Sequence, residues 1–196
     1  MPRMRRPPQA QAVALSPVTA EGQRLPLALV QLVAGADPAA NRRQAELWLE
    51  RALATAPVGQ RPRLLMLPEI WNAPYAAAGF PDWAEPVPQV GADLTAGPSP
   101  SLAMVARFAA RHGVSVIAGS IPERGADGRI YNTATVIDPA GRLVAKHRKL
   151  HLFDVDVPGG IRFRESDTLS PGTGVTVVPA AGDPLATGLA DPPPVG

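Results

Sequence analysis

Two stretches of this chain hold the residue types that acid–base and electrostatic catalysis require. The first is Leu64-Leu-Met-Leu-Pro-Glu69. A short, wholly apolar run suits a strand buried on both faces, and the Pro-Glu that follows delivers a carboxylate to its C-terminal edge. Ligand sites in α/β sheets commonly lie at that edge. A carboxylate at an apolar mouth is partly desolvated, which eases proton uptake and suits a general base. The plainer alternative is a solvated Glu at a strand end. The second stretch is Lys146-His-Arg-Lys-Leu-His151. On a strand, period two puts His147, Lys149 and His151 on one face and Lys146, Arg148 and Leu150 on the other. Cations crowded in this way predict an anion beside them: a carboxylate partner, a developing oxyanion or a phosphate. A cation aimed at charge that appears in a transition state is a strong catalytic device. The alternative is a basic edge that discourages strand addition.

A third stretch, Phe153-Asp-Val-Asp-Val-Pro-Gly-Gly-Ile-Arg-Phe-Arg-Glu165-Ser, can bring acids near those cations. Glu165 is placed to orient or neutralise Lys149, and Asp154 and Asp156 are expected to balance Lys146–Lys149. The alternative is a surface loop whose charges pair loosely with Arg162 and Arg164. Asp-x-Asp has the spacing of a calcium loop, but the rest of that pattern is missing. His147 and His151 stand four apart on a strand, too far for one ion, with no clear third ligand, so no metal is expected. There is no Gly-x-Ser-x-Gly elbow, Walker loop or dinucleotide fingerprint. The sequence contains no cysteine, which excludes disulfides, Cys-ligated zinc, iron–sulfur sites and a thiol nucleophile.

The elements that would hold these residues alternate along the chain. Leu27–Leu32 reads as a strand. Asp37 caps a helix with Pro38 in its first turn, running to about Ala54 with Leu47, Trp48 and Leu49 as its bulky apolar group. Pro57–Pro62 is a loop before the Leu64–Leu67 strand. Ser99 or Ser101 caps a second helix whose Leu102, Val105, Ala106 and Ala109 fall at i, i+3, i+4, i+7, and Gly113 stops it. Val114–Gly119 is a strand. Ile130–Asp138 and Arg142–Lys149 flank Pro139-Ala-Gly141 as a hairpin. The order β-α-β-α-β and then a hairpin indicates a layered α/β domain.

With 196 residues, one domain is expected. A net charge of only +2 argues against a polycation, and the basic run at Lys146–Lys149 lacks interleaved aromatics, so no nucleic acid is expected as partner. No stretch approaches the ~18 apolar residues of a membrane span. Residues 1–25 hold four Arg and no acid until Glu21, and read as a disordered extension or a transit peptide. Residues 179–196, rich in Pro, Ala and Gly, cannot build a core and read as a disordered tail.

Taken together, these stretches resemble the carbon–nitrogen hydrolase (nitrilase) superfamily, and within it the omega-amidase branch. The resemblance is carried by Leu27–Leu32, Leu67-Pro-Glu69, Trp71-Asn-Ala-Pro-Tyr75, Gly119-Ser-Ile-Pro-Glu123 and Tyr131-Asn-Thr-Ala134. It continues through Lys146–Gly159, Glu165-Ser and Leu169-Ser-Pro-Gly172. It covers residues 26–178, the partial hydrolase domain of this reading. It implies part of a four-layer α-β-β-α sandwich, usually in a homo-oligomer and without a cofactor. It also implies hydrolysis of short dicarboxylate monoamides, small-molecule amide substrates, to the acid and ammonia through a Cys thioester. By motif position, Glu69 is the general base, Lys149 the oxyanion cation and Glu165 a supporting glutamate, while Tyr75 and Phe153 line the substrate pocket. The family's nucleophile lies downstream of Leu-Ser-Pro-Gly, where this chain loses the resemblance. The expectation is therefore a truncated, inactive N-terminal portion, its tail resembling read-through or a frameshift. The alternative is a non-catalytic subunit that binds or modulates a full-length homologue. The expected location is the cytoplasm, with a mitochondrion or plastid as alternatives.

Overall fold

The structure, a computed structural model, describes residues 26–178 together with the strand Gln11–Leu15. The extension and tail expected at residues 1–10, 16–25 and 179–196 lie outside the described residues. Strand β1 (Gln11–Leu15) pairs antiparallel with β2 (Leu27–Gln31). It falls within the stretch read as an extension, because five residues between proline-bearing flanks carry too little periodicity to announce a strand.

Helix α1 (Pro38–Ala54) starts as its sequence predicts: Asp37 Oδ1 accepts the Ala39 N–H at 2.8 Å, and Pro38 occupies the first turn. Its inward stripe is Asn41, Ala45, Leu49 and Ala52, while Trp48 is partly covered and Leu47 is exposed. Strand β3 (Leu64–Met66) follows, then a short helix α2 (Phe80–Trp83) and α3 (Pro100–His112). Ser99, not Ser101, caps α3: its Oγ accepts the Leu102 N–H at 3.3 Å, and Gly113 ends the helix in the left-handed region. The predicted stripe Leu102, Val105, Ala106 and Ala109 is buried.

Strands β4 (Ser115–Arg124), β5 (Ile130–Ile137) and β6 (Leu143–Arg148) complete a six-stranded sheet of order β1-β2-β3-β4-β5-β6. The β2-β3-β4 pairs are parallel and β4-β5-β6 antiparallel. Strand β4 runs past Gly119, where the sequence reading ended it. Gly119 is a bulge in that strand, with φ 57° and a register shift between Ile117 and Ser120. A Cβ there would stand 2.0 Å from the Pro68 carbonyl oxygen, so only glycine lets the chain leaving β3 lie this close.

Helices α1 and α3 pack together on one face of the sheet. There Ala28, Val30, Leu65, Val116 and Ala118 meet Leu49, Leu102, Val105 and Phe108 in the main core. The fold class is α/β, as expected. What the described residues form is one sheet with one helix layer of the implied sandwich. On the opposite face, Leu29, Met66 and Ile117 stand in one registered row, with Met66 41% exposed. A separate hairpin pairs β7 (Asp154–Asp156) with β8 (Arg162–Arg164).

Candidate active site

Glu69 sits at the C-terminal end of β3, and the residues after it are anchored from several directions. Ile70 has φ 47°, the single left-handed non-glycine among the described residues. Such a backbone persists only where its surroundings over-determine it. Here the Ile70 N–H donates to Ser120 Oγ at 3.0 Å, and Trp71 Nε1 donates to the Ala118 carbonyl at 2.7 Å. Asn72 is held by the Asn41 side chain at its carbonyl (3.0 Å) and donates to Glu85 at 3.2 Å. The buried turn thus turns Glu69 out over the sheet.

Lys149 follows the last residue of β6. Its N–H donates to the Asn132 carbonyl and its own carbonyl accepts from Gly172, both at 2.8 Å, so its backbone is fixed on both sides. Its ammonium lies between two carboxylates, 3.1 Å from Glu69 Oε1 and 3.0 Å from Glu165 Oε2. Glu165 is fully buried and accepts the Phe153 N–H at 2.6 Å. The Tyr75 hydroxyl donates to Glu165 and, at 3.3 Å, to Glu69. Asn132 Nδ2 donates to Glu69 Oε1 at 2.7 Å. Burial opposes the charged form of Lys149, but its hydrogen bonds to Glu165 and Glu69 outweigh that and hold its pKa above the ordinary lysine value. Burial first, and then the Glu165 hydrogen bond and the nearby carboxylates, push the Tyr75 phenol well above its usual range, so it remains a donor.

A cavity of about 530 Å³ opens beside this cluster, lined by Glu69, Asn132, His147, Lys149 and His151 over an apolar floor that includes Met66. Three of the residues singled out from sequence, Glu69, Lys149 and Glu165, meet through direct contacts. His147, Lys149 and His151 all line the cavity, but so does Leu150, which strand alternation put on the other face: β6 ends at Arg148, and period two does not continue beyond it. Tyr75 and Phe153 do not line this cavity. Tyr75 sits behind the carboxylates, stacked on Phe163 at 5.7 Å between ring centres, and the exposed Phe153 ring lies 6.0 Å from Phe163. The Glu69 side chain is 49% exposed, so the partial desolvation expected of an apolar mouth does not hold here.

Glu165 supplies the anion expected beside Lys149, but the two aspartates of the same loop do not serve the other cations. Asp154 and Asp156 face Arg164 and Arg162 at 3.7 and 3.8 Å and do not balance Lys146–Lys149. The β7–β8 hairpin pairs these acids with its own arginines across the ladder. Lys146 and Arg148, on the face away from the cavity, are neutralised by buried Glu123, which Arg148 grips at 2.9 and 2.8 Å. Burial alone would raise the Glu123 pKa; Arg148, Lys146 and Thr133 outweigh it and lower it. Sequence reasoning missed Asn132 and Glu123 as site residues. Both stand in the motifs that carried the resemblance, but nothing in their spacing shows that they reach Glu69 and Arg148. Among the described residues no three His, Cys, Asp or Glu side chains gather as a metal ion would need, and no helix is long and apolar enough to cross a membrane.

Comparison with known proteins matches the chain to a family. Residues 27–188 match the carbon-nitrogen hydrolase family, a span that runs past Val178. A hydrolase of Schizosaccharomyces pombe is 43% identical over 152 residues, 78% of this chain and 43% of that protein. The chloroplastic omega-amidase of Arabidopsis thaliana is 40% identical over 177 residues, 90% of this chain and 44% of its own length. The crystal structure of Saccharomyces cerevisiae Nit3, a member of branch 10 of the nitrilase superfamily, superposes with TM-score 0.61 at 29% identity. That match covers 86% of this chain and 51% of the Nit3 chain. The chain thus spans about half the length of the curated relatives it matches. By the match over residues 27–188, the chain belongs to the carbon–nitrogen hydrolase family.

Proposed function

We propose that this chain carries the base-and-cation half of an omega-amidase-like site for short dicarboxylate monoamides. The observation that supports this reading is the convergence of Glu69, Lys149 and Glu165 within 3.1 Å contacts at the mouth of one cavity. In the reaction that the family resemblance implies, Glu69 takes the proton of a thiol nucleophile and returns it to the departing ammonia. The Lys149 ammonium faces the oxygen on which negative charge develops as the amide carbon becomes tetrahedral. Glu165 holds that ammonium charged and in place, and Asn132 fixes the Glu69 carboxylate. Residues 26–178 act as a partial hydrolase domain in this reading. Its location is the cytoplasm, with a mitochondrion or plastid as alternatives.

Base and cation cannot form a thioester without a thiol, and the sequence has no cysteine. The chain alone is therefore expected to release no ammonia from a four-carbon dicarboxylate monoamide above the protein-free rate. Ammonia released in proportion to protein would refute the reading. A second reading, a non-catalytic subunit that joins a full-length homologue, is favoured by the uncovered row Leu29, Met66 and Ile117. Co-elution with such a homologue in size-exclusion chromatography supports it, and separate elution removes it.

A further inference from the structure

On the far side of the sheet from the Glu69 cavity, α1 and α3 leave a groove of about 470 Å³ between them. Each helix offers one stripe to it. Ala39, Arg42, Arg43 and Glu46 on α1, and Pro100, Ala103, Met104 and Arg107 on α3, fall at i, i+3, i+4, i+7. The floor is small and apolar, and the walls carry three guanidinium groups against one carboxylate. That carboxylate, Glu46, is engaged by Arg111 at 3.2 Å. Among the described residues Arg43 reaches only the exposed Asp37, at 3.7 Å, and Arg107 donates one N–H to the Thr95 carbonyl at 2.9 Å.

Arg42 is the telling residue. Its side chain is 25% exposed, and among the described residues its nearest acid is Glu85, at 3.9 Å and beyond hydrogen-bond reach. Glu85 does not need it. That carboxylate already accepts from Ser99 Oγ at 2.5 Å, Ser101 N at 2.9 Å, Ser101 Oγ at 2.6 Å and Asn72 Nδ2 at 3.2 Å. A guanidinium carries five donors, and those of Arg42 make no hydrogen bond to any described residue. Three arginines lining one groove, with most of their donors unpaired among the described residues, form a site for a group with several acceptor oxygens.

We propose that the α1–α3 groove binds a small organic oxyanion, its charged head held by Arg42, Arg43 and Arg107 and its apolar body lying on Ala39, Ala103 and Met104. A phosphate monoester and a carboxylate share this chemistry. The site is separate from the Glu69–Lys149 cluster and does not depend on the amidase reading.

The test is calorimetric titration of the purified chain with butyl phosphate, butyrate and inorganic phosphate. Saturable binding of butyl phosphate or butyrate, tighter than that of inorganic phosphate, is expected, and the tighter of the two identifies the head group. Arg42→Gln and Arg107→Gln should each weaken that binding about tenfold, as loss of one charge-assisted contact does. Arg129→Gln, at an exposed arginine elsewhere, should leave it unchanged. Arg107 lies on the exposed side of α3, so R107Q decides the matter if R42Q does not fold. Absence of saturable binding, equal affinity in R107Q, or equal weakening in R129Q overturns the proposal.

Discussion

Lys149 holds two carboxylates together, and the consequences of removing it follow from burial. Without the ammonium, Glu165 keeps the Phe153 N–H and the Tyr75 hydroxyl but remains a buried anion with no counter-charge. Lys149→Met should lower unfolding stability by about 3 kcal/mol, and adding Glu165→Gln should restore part of it, read as urea midpoints. Equal midpoints for the single and double variants would contradict this coupling. Glu123 gives the pH dependence. Its folded pKa lies below the ordinary value of 4.5. The stability it contributes is therefore complete above that pH and is lost as pH falls through the folded value. Urea midpoints should fall steeply below pH 4.5, and less steeply in Glu123→Gln. At this scale the sequence was legible where residue type and position at an element's end coincide, as at Glu69 and Lys149. Their spacing of eighty residues said nothing about the distance between them. Asn132 and Glu123 were not legible, because an amide or carboxylate inside a strand reads the same whether it supports a site or caps a neighbour.

Helices α1 and α3 and the β5–β6 hairpin were legible as elements because their signals are local; the four-residue α2 was not. Asp37-Pro38, Ser99-Pro100 with Gly113, and Pro139-Ala-Gly141 each act within a few residues of themselves. Removing the α3 cap by Ser99→Ala should cost about 1 kcal/mol, with Glu85 losing one of its donors. Thermal or urea unfolding checks it. The extent of β4 was not legible, because a glycine that ends a strand and a glycine that lets a second chain approach look identical in sequence. Gly119→Ala tests the difference. Its Cβ would meet the carbonyl oxygens of Pro68 at 2.0 Å and Leu67 at 2.7 Å in a left-handed backbone. A loss of roughly 3 kcal/mol is expected, together with displaced amide resonances at Glu69 and Ile70. A variant with unchanged stability and an unchanged Glu69 environment would mean that the bulge does not position Glu69. Strand β1 and the self-contained β7–β8 hairpin escaped notice for one reason: strands of five and three residues depend on partners that no local pattern names.

Across the whole molecule, one sheet carries two different faces. One is sealed by α1 and α3, and the other presents Leu29, Met66 and Ile117 beneath the Glu69 cavity. An apolar row of this kind favours association. Sedimentation velocity should show self-association as concentration rises, reduced by Met66→Lys while the urea midpoint stays nearly unchanged; a monomer at every concentration would contradict it. The family assignment, the α/β class and the convergence of Glu69, Lys149 and Glu165 agree with one another. The central claim is that Glu69 and Lys149 form a site for an amide. Its most direct test is an NMR titration of the chain with a four-carbon dicarboxylate monoamide, following the Glu69 carboxyl and Lys149 ammonium resonances. The account predicts saturable shifts at both groups that Glu69→Gln weakens. Shifts confined to other residues, or binding that Glu69→Gln leaves unchanged, would contradict it.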